Sequence, residues 1–172
     1  MKKINLRIIF VCFLVFIIFL IIYLIILRFS LERQVDDVSP GIQCNEDILK
    51  KVEVLMVIPL LNNISIVENK SWCNYILALN KTLGMHGVCH TYNEFYETRN
   101  KDYILLGAIE FEKCFGFYPK IFEAPQLALS KENKRTLESM NFNVFDYGYN
   151  AFHKVYHCGD TGLVSNSFID WI

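Results

Sequence analysis

The sequence predicts an α/β domain with a parallel sheet or barrel, carried behind an N-terminal transmembrane helix. Two observations carry this. Residues 8–27 contain no charge. Beyond residue 35, strand-like apolar runs alternate with segments of helical periodicity, which is the pattern of β-α units.

Ile8 to Leu27 is twenty residues long, enough for a helix to cross a hydrocarbon core of about 30 Å. Lys2, Lys3 and Arg7 precede it, which favours a cytoplasmic N-terminus. A cleaved signal peptide would carry an apolar region of about 7–15 residues ending in small residues. This run is longer, and Leu27-Arg28-Phe29-Ser30-Leu31 offers no small-x-small site. The expected organisation is a cytoplasmic segment (1–7), a single-pass signal-anchor (8–27), a short linker (28–34) and an extracytoplasmic domain (35–172).

The last segment has 138 residues, the size of one domain. It holds 12 Lys and Arg against 17 Asp and Glu, a net charge of −5. That argues against nucleic acid, which needs a basic footprint, and against strongly anionic glycans.

Val52 to Leu61 reads as a buried strand. Ser71 can cap a helix in which Trp72, Tyr75, Ile76, Leu79 and Leu83 recur at helical spacing, with Gly84 as its stop. Asp102 to Phe115 reads as a second helix, with Ile104, Leu105, Ala108, Ile109 and Phe115 inward and Gly116 ending it. Lys120 to Ala124 is a short strand, Ser130 caps a third helix through Met140, and Asn143 to Tyr147 is another strand.

The chemistry lies between these elements. Asp36 and Asp37 stand about fifty residues ahead of His86 and His90. Catalytic zinc usually takes three protein ligands and keeps a fourth position for water, whose pKa it lowers to about 7. Two His four residues apart can reach one ion from one face of a helical turn or from a tight loop. Gly87 between them points to the loop, with close backbone approach. One carboxylate could complete the ligand set and the other act as a base. Such a set suits Zn, Co, Fe or Mn. The same residues also fit plainer roles: a His-x-x-x-His pair on the surface or in the core, and an Asp-Asp-Val-Ser-Pro turn.

The surrounding residues resemble a family. Val35-Asp36-Asp37-Val38-Ser39-Pro40 is similar to the first motif of the polysaccharide deacetylase (NodB-homology) superfamily, in a branch with Asp-Asp-Val-Ser-Pro there. Val54-Leu55-Met56-Val57-Ile58-Pro59 resembles that branch's second strand. His86-Gly87-Val88-Cys89-His90 with Glu94-Phe95 resembles its His-Gly-x-x-His motif. Phe115-Gly116-Phe117-Tyr118-Pro119 and Phe122-Glu123-Ala124-Pro125 resemble its third motif region. The resemblance implies a distorted, incomplete (β/α) barrel. It implies Asp37, His86 and His90 as ligands of one divalent metal, zinc first, with Asp36 as catalytic base and Pro125 at the substrate. The implied substrates are N-acetylated sugars of extracellular or envelope glycans, which lose acetate.

Two departures stand beside it. Glu123 occupies the place where the superfamily often has an Arg that holds the base. The late His that acts as general acid has no clear counterpart, since His153 and His157 follow Pro125 too soon. The chain closes on Asp170-Trp171-Ile172, which resembles a fourth motif and reads as a shortened domain. A catalytically degenerate domain that binds a glycan or protein partner without turnover is therefore the competing expectation.

Of six Cys, Cys12 lies in the anchor and five lie beyond it, so at least one of the five stays free or pairs between chains. Cys89, between the two His, reads as packing. Asn63, Asn69 and Asn80 fit the glycosylation pattern, with Asn80 placed on the first helix of the domain.

Overall fold

The computed structural model describes residues 6–150 and 152–171. Residues 1–31 and 32–172 form two separate compact units. The first is a single helix, α1 (Leu6–Ser30). Its stretch Ile9–Ser30 is long and apolar enough to cross a membrane, and Phe10, Phe13, Phe16 and Phe19 are among its exposed side chains.

The second unit runs β1 (Gln34–Val38), α2 (Glu46–Lys51), β2 (Val54–Val57), β3 (Leu60–Leu61), β4 (Ile64–Ser65), α3 (Lys70–Ala78), β5 (Thr82–His86) and α4 (Lys101–Phe115). It continues with β6 (Ile121–Glu123), α5 (Lys131–Ser139), β7 (Asn143–Phe145), α6 (Tyr147–Asn150), β8 (Val155–His157) and α7 (Asn166–Trp171). Among the described residues six strands form one sheet in the order β7-β6-β5-β2-β1-β8. All five pairings are parallel. The end strands β7 and β8 are not paired with each other. This is the incomplete (β/α) barrel expected. β3 and β4 form a small antiparallel hairpin.

Register sorts the side chains into two faces, because laterally paired residues of neighbouring strands point the same way. Val35, Leu55, Leu83, Phe122 and Tyr156 join Val57 and Met85 in the large core, together with Ile76, Ile104, Ala108, Phe111 and Leu137 from the helices. The opposite, inner face carries Gln34 beside Val54, Met56 beside Gly84, and His86 beside Glu123. Val54, Met56, Phe145 and Ile121 form a small apolar plug there. A Cβ on Gly84 would stand 2.5 Å from Met56 Sδ, so Gly84 makes room for that plug.

The helices begin where cap chemistry allows. The Asn69, Asn100 and Ser130 side chains accept from Trp72 N, Tyr103 N and Asn133 N, replacing partners that the first turn lacks. α4 stops at Gly116, φ 80°, the left-handed cap that glycine favours.

Several expectations need correction. The Ser71–Gly84 segment is a helix only to Ala78; Asn80 turns left-handed (φ 52°) and Leu83-Gly84 belong to β5. Asn80 is therefore in the turn, not on the helix. Pro59 ends the apolar run after β2, leaving Leu60-Leu61 to the hairpin. On α4, Leu105 and Ile109 are about two-fifths exposed, and Phe111 lies inward instead. Tyr147 starts α6 instead of ending β7. β8 is an element that the sequence reading lacks.

Two disulfides join Cys44 to Cys158 and Cys73 to Cys114, and Cys89 is free. The first closes a sequence separation of 114 residues and ties the segment after β1 to the segment after β8. Replacing Cys44 and Cys158 together by Ser is expected to destabilise the domain by about 2–5 kcal/mol, read as a lower denaturant midpoint of the purified protein. An unchanged midpoint would contradict a tie between the first and last strands.

Candidate metal centre

The site stands at the C-terminal ends of β1, β5, β6 and β8, above the apolar plug. Consecutive strand residues normally point to opposite faces, so Asp36 and Asp37 could not both serve one site from a regular strand. Asp37 breaks the alternation: its φ is 62°, and the β1–β2 register shifts between Val35 and Val38. This bulge turns both carboxyls towards His86. Left-handed backbone is tolerated by Asp better than by most residues, yet costs on the order of 1–3 kcal/mol.

His86 ends β5, and Gly87 (φ 64°) begins the loop to His90 (φ 58°). A Cβ on Gly87 would strike the Glu94 carboxyl and come within 2.7 Å of Pro125 Cγ, so the close approach foreseen at Gly87 is real. The loop is wrapped around Glu94, which is wholly buried. Its carboxyl accepts from the backbone N–H groups of Val88 (3.2 Å), Cys89 (2.7 Å) and His90 (3.1 Å), and from the Tyr103 hydroxyl at 2.5 Å. Glu94 is thus the post that shapes the His loop. Asn133 Nδ2 in turn donates to the carbonyls of Phe95 (2.6 Å) and Glu97 (2.7 Å), pinning the following residues to α5.

Asp37, His86 and His90 converge. Asp37 Oδ1 lies 2.8 Å from His90 Nε2 and 3.5 Å from His86 Nε2. That oxygen is buried, and these two imidazole nitrogens are the groups it faces. One potential ligand atom from each residue lies within 4.8 Å of the others. Two imidazole nitrogens around one buried carboxylate oxygen are a donor set that fits one divalent cation with open positions. Asp37 Oδ2 is held separately, accepting from Thr161 Oγ1 at 2.9 Å.

Asp36 sits beside this set. It accepts from Gln34 Nε2 at 2.6 Å, and its Oδ2 faces His157 Nε2 at 3.8 Å. The same Gln34 Nε2 donates to Glu123 Oε2 at 2.9 Å. Asn150 Nδ2 donates to that oxygen too, at 2.9 Å. Glu123 Oε1 lies 3.6 Å from His86 Nδ1. His157, set aside in the sequence analysis because it follows Pro125 so soon, stands in the site. It ends β8 and pairs laterally with Asp36, with Asn166 bonded to both its backbone N–H and its carbonyl. The signal was the run Val155-Tyr156-His157, too short to stand out as a strand. Pro125 is buried with its ring against the Gly87 backbone.

Electrostatics follow from burial and crowding. Burial, then Glu123, push the Asp36 carboxyl well above the usual carboxylate range, partly offset by His86 and Gln34. Burial would also raise Asp37, but the adjoining His86 and His90 imidazoles overcome it and hold this carboxyl far below the usual range. Burial would lower the His86 imidazole; Asp36, Asp37 and Glu123 outweigh it and push it up to about 9. Burial lowers His157, against the pull of Asp37 and Glu123.

No protein-family model matches this chain, and neither does any curated protein. Solved structures do. The chain is similar to Bc1960, a peptidoglycan N-acetylglucosamine deacetylase, with TM-score 0.51 and 15% identity over 65% of this chain and 54% of that one. It is similar to the polysaccharide deacetylase Bc1974 from Bacillus cereus, with TM-score 0.50 and 13% identity over 67% and 60%. The shared property is the fold. The chain spans 54% and 60% of the length of these two solved chains.

Two outcomes are expected. Glu94→Ala would leave three loop N–H groups and the Tyr103 hydroxyl without their acceptor, a loss of about 3 kcal/mol or more, read by denaturant unfolding; a loss under 1 kcal/mol would contradict the wrapped loop. The second concerns pH. The folded pKa of His86, about 9, lies above its ordinary 6.5. The folded state therefore binds this proton more tightly, a stabilisation present in full below 6.5 and lost as pH rises through 9. Asp36, also raised, acts in the same direction. Melting temperature measured in chelator should fall between pH 7 and pH 9.5, and a flat or rising profile would contradict it.

Proposed function

We propose that this protein is a membrane-anchored, metal-dependent hydrolase that removes acetyl groups from N-acetylated sugars of extracellular or envelope glycans. The carrying observation is the convergence of the His86 and His90 imidazoles on the buried Asp37 carboxylate, with Asp36 on one side and His157 facing Asp36. The deacetylase fold and the motif resemblance support the same reading, and with it membership of the polysaccharide deacetylase superfamily.

In this reading Asp37, His86 and His90 hold one divalent ion, zinc first. Such an ion supplies Lewis-acid polarisation of the amide carbonyl and a water acidic enough to attack near neutral pH. The remaining work falls to this chain's side chains. Asp36 takes the proton of the attacking water on its carboxyl, and Gln34 holds that carboxyl in place. His157, the general acid of this scheme, offers a proton from Nε2 to the departing amine. His90 and His157 are the most exposed of the set, with side chains 21% and 28% accessible, so substrate enters over them. Pro125 bounds the site through its contact with Gly87.

α1 would serve as the uncleaved signal-anchor (8–27), with the N-terminus cytoplasmic and the 35–172 domain outside. Two disulfides support an oxidising compartment.

A second reading rests on Glu123. A carboxyl stands close to Asp36, and burial together with that carboxyl raises the Asp36 pKa, so less of Asp36 is ionised and free to take a proton near neutral pH. A domain that binds metal and glycan without turnover would have this feature.

The test is acetate release from chito-oligosaccharides by the purified, zinc-loaded protein. Asp36→Asn is expected to reduce turnover by at least 100-fold, the usual scale of a lost general base, with zinc still bound. Asp37→Asn should weaken zinc itself. Equal loss of zinc in both variants would overturn the assignment of roles. Glycan binding with no acetate release by the wild type would establish the second reading.

A further inference from the structure

Glu123 is the least expected member of the site. It ends β6 directly beside His86 in the parallel register, so both side chains leave neighbouring strands towards the inner face. Glu123 is 1% exposed, and its Oε2 receives two amide donors, from Gln34 and from Asn150. Its Oε1 points at His86 Nδ1 across 3.6 Å, an ion-pair distance longer than a hydrogen bond. That Nδ1 is buried, and no hydrogen bond satisfies it. The other ring nitrogen, Nε2, faces Asp37 Oδ1. The imidazole thus stands between two carboxyl groups, one at each nitrogen.

A histidine ligand binds a cation through one nitrogen and carries its proton on the other. The partner of the protonated nitrogen decides which tautomer exists and how the ring is turned. Only Nε2 of His86 faces the centre formed with Asp37 and His90, so Nδ1 must keep its hydrogen and find an acceptor. The rotation of a histidine ring about χ2 is soft, and a few tenths of an ångström separate the present contact from a hydrogen bond. We propose that Glu123 is a positioning residue for the metal centre: it accepts from His86 Nδ1 and so presents His86 Nε2 to the cation. This rests on the metal-centre reading above.

The competing use of the same atoms is a second cation. One ligand atom each from Asp36, His86 and Glu123 also lies within 4.8 Å of the others. A cation there would need Nδ1 as a ligand, stripped of its hydrogen, so the two arrangements exclude each other.

Full-length protein in detergent micelles separates them. Zinc affinity is measured by chelator competition for wild type, Glu123→Gln and Glu123→Leu, with stoichiometry from zinc analysis. Long-range 1H–15N spectra of the zinc-loaded protein report which nitrogen of His86 carries hydrogen, the His86→Ala spectrum serving for assignment. One zinc per chain is expected, with His86 protonated on Nδ1. Glu123→Leu should weaken zinc about 10–100-fold. Glu123→Gln, which keeps an acceptor oxygen of the same reach, should recover part of the loss. Should the Leu variant not fold, as judged by its chelated melting curve, the Gln variant decides: a several-fold loss sustains the proposal. Affinities within twofold of wild type in every folded variant overturn the role of Glu123 while leaving the metal centre intact. Two zinc ions per chain, or a His86 protonated on Nε2, overturn it as well. A wild type that binds no zinc overturns the metal-centre reading and this inference together.

Discussion

Removing several ionisable groups from water is what the inner face of this domain has to accommodate. Asp36, Asp37, His86 and Glu123 are each 4% exposed or less, and an ion taken out of water costs several kcal/mol unless it is paired. Each neighbouring feature meets part of that cost. Gln34 bridges two carboxyls with one amide nitrogen, Asn150 supports one of them, and Thr161 occupies the outer oxygen of Asp37. Below this polar layer Val54, Met56, Ile121 and Phe145 close the barrel with apolar side chains. The other oxygen of Asp37, Oδ1, faces the imidazole nitrogens of His86 and His90.

The same site stores backbone strain. Asp37 and His90 both adopt left-handed conformations that cost free energy outside glycine. Both lie in the proposed ligand set. The strain has a visible purpose at Asp37, where it brings two consecutive residues to one face. At His90 it lets the loop after Gly87 fold back over Glu94, whose carboxyl gathers three consecutive N–H groups. An acidic residue used in this way is a structural anchor, and its charge is spent on backbone donors instead of chemistry.

Much of this was legible in the residues. The order of Asp36-Asp37, His86-Gly87 and His90 anticipated a shared centre, and Gly87 announced the tight loop. Cap residues at Ser130 and Gly116 marked helix ends correctly. What stayed hidden has physical reasons. Leu79 and Leu83 continue the spacing of α3, so β5 read as helix, although Asn80 breaks the chain between them. A three-residue strand such as β8 carries too little pattern to separate from a loop, and His157 was set aside because it follows Pro125 so soon. The pairing Cys44–Cys158 depends on where the last strand lies, which spacing does not disclose. Glu123 was noticed as a departure from the family pattern, but its contacts come from the lateral register of β5 and β6.

Because β8 lies against β1, the site joins the first strand of the domain to the last. Asp36 and His157 face each other across 121 positions of sequence. Local helices can form early, but contacts of such separation form late, after the chain has paid its loop-closure entropy. A partly folded or partly synthesised domain would hold the His86 loop and much of the core without His157 or Thr161. Any activity that depends on both ends would then switch on only with the last strand, and an incomplete intermediate would be inert towards its own surroundings.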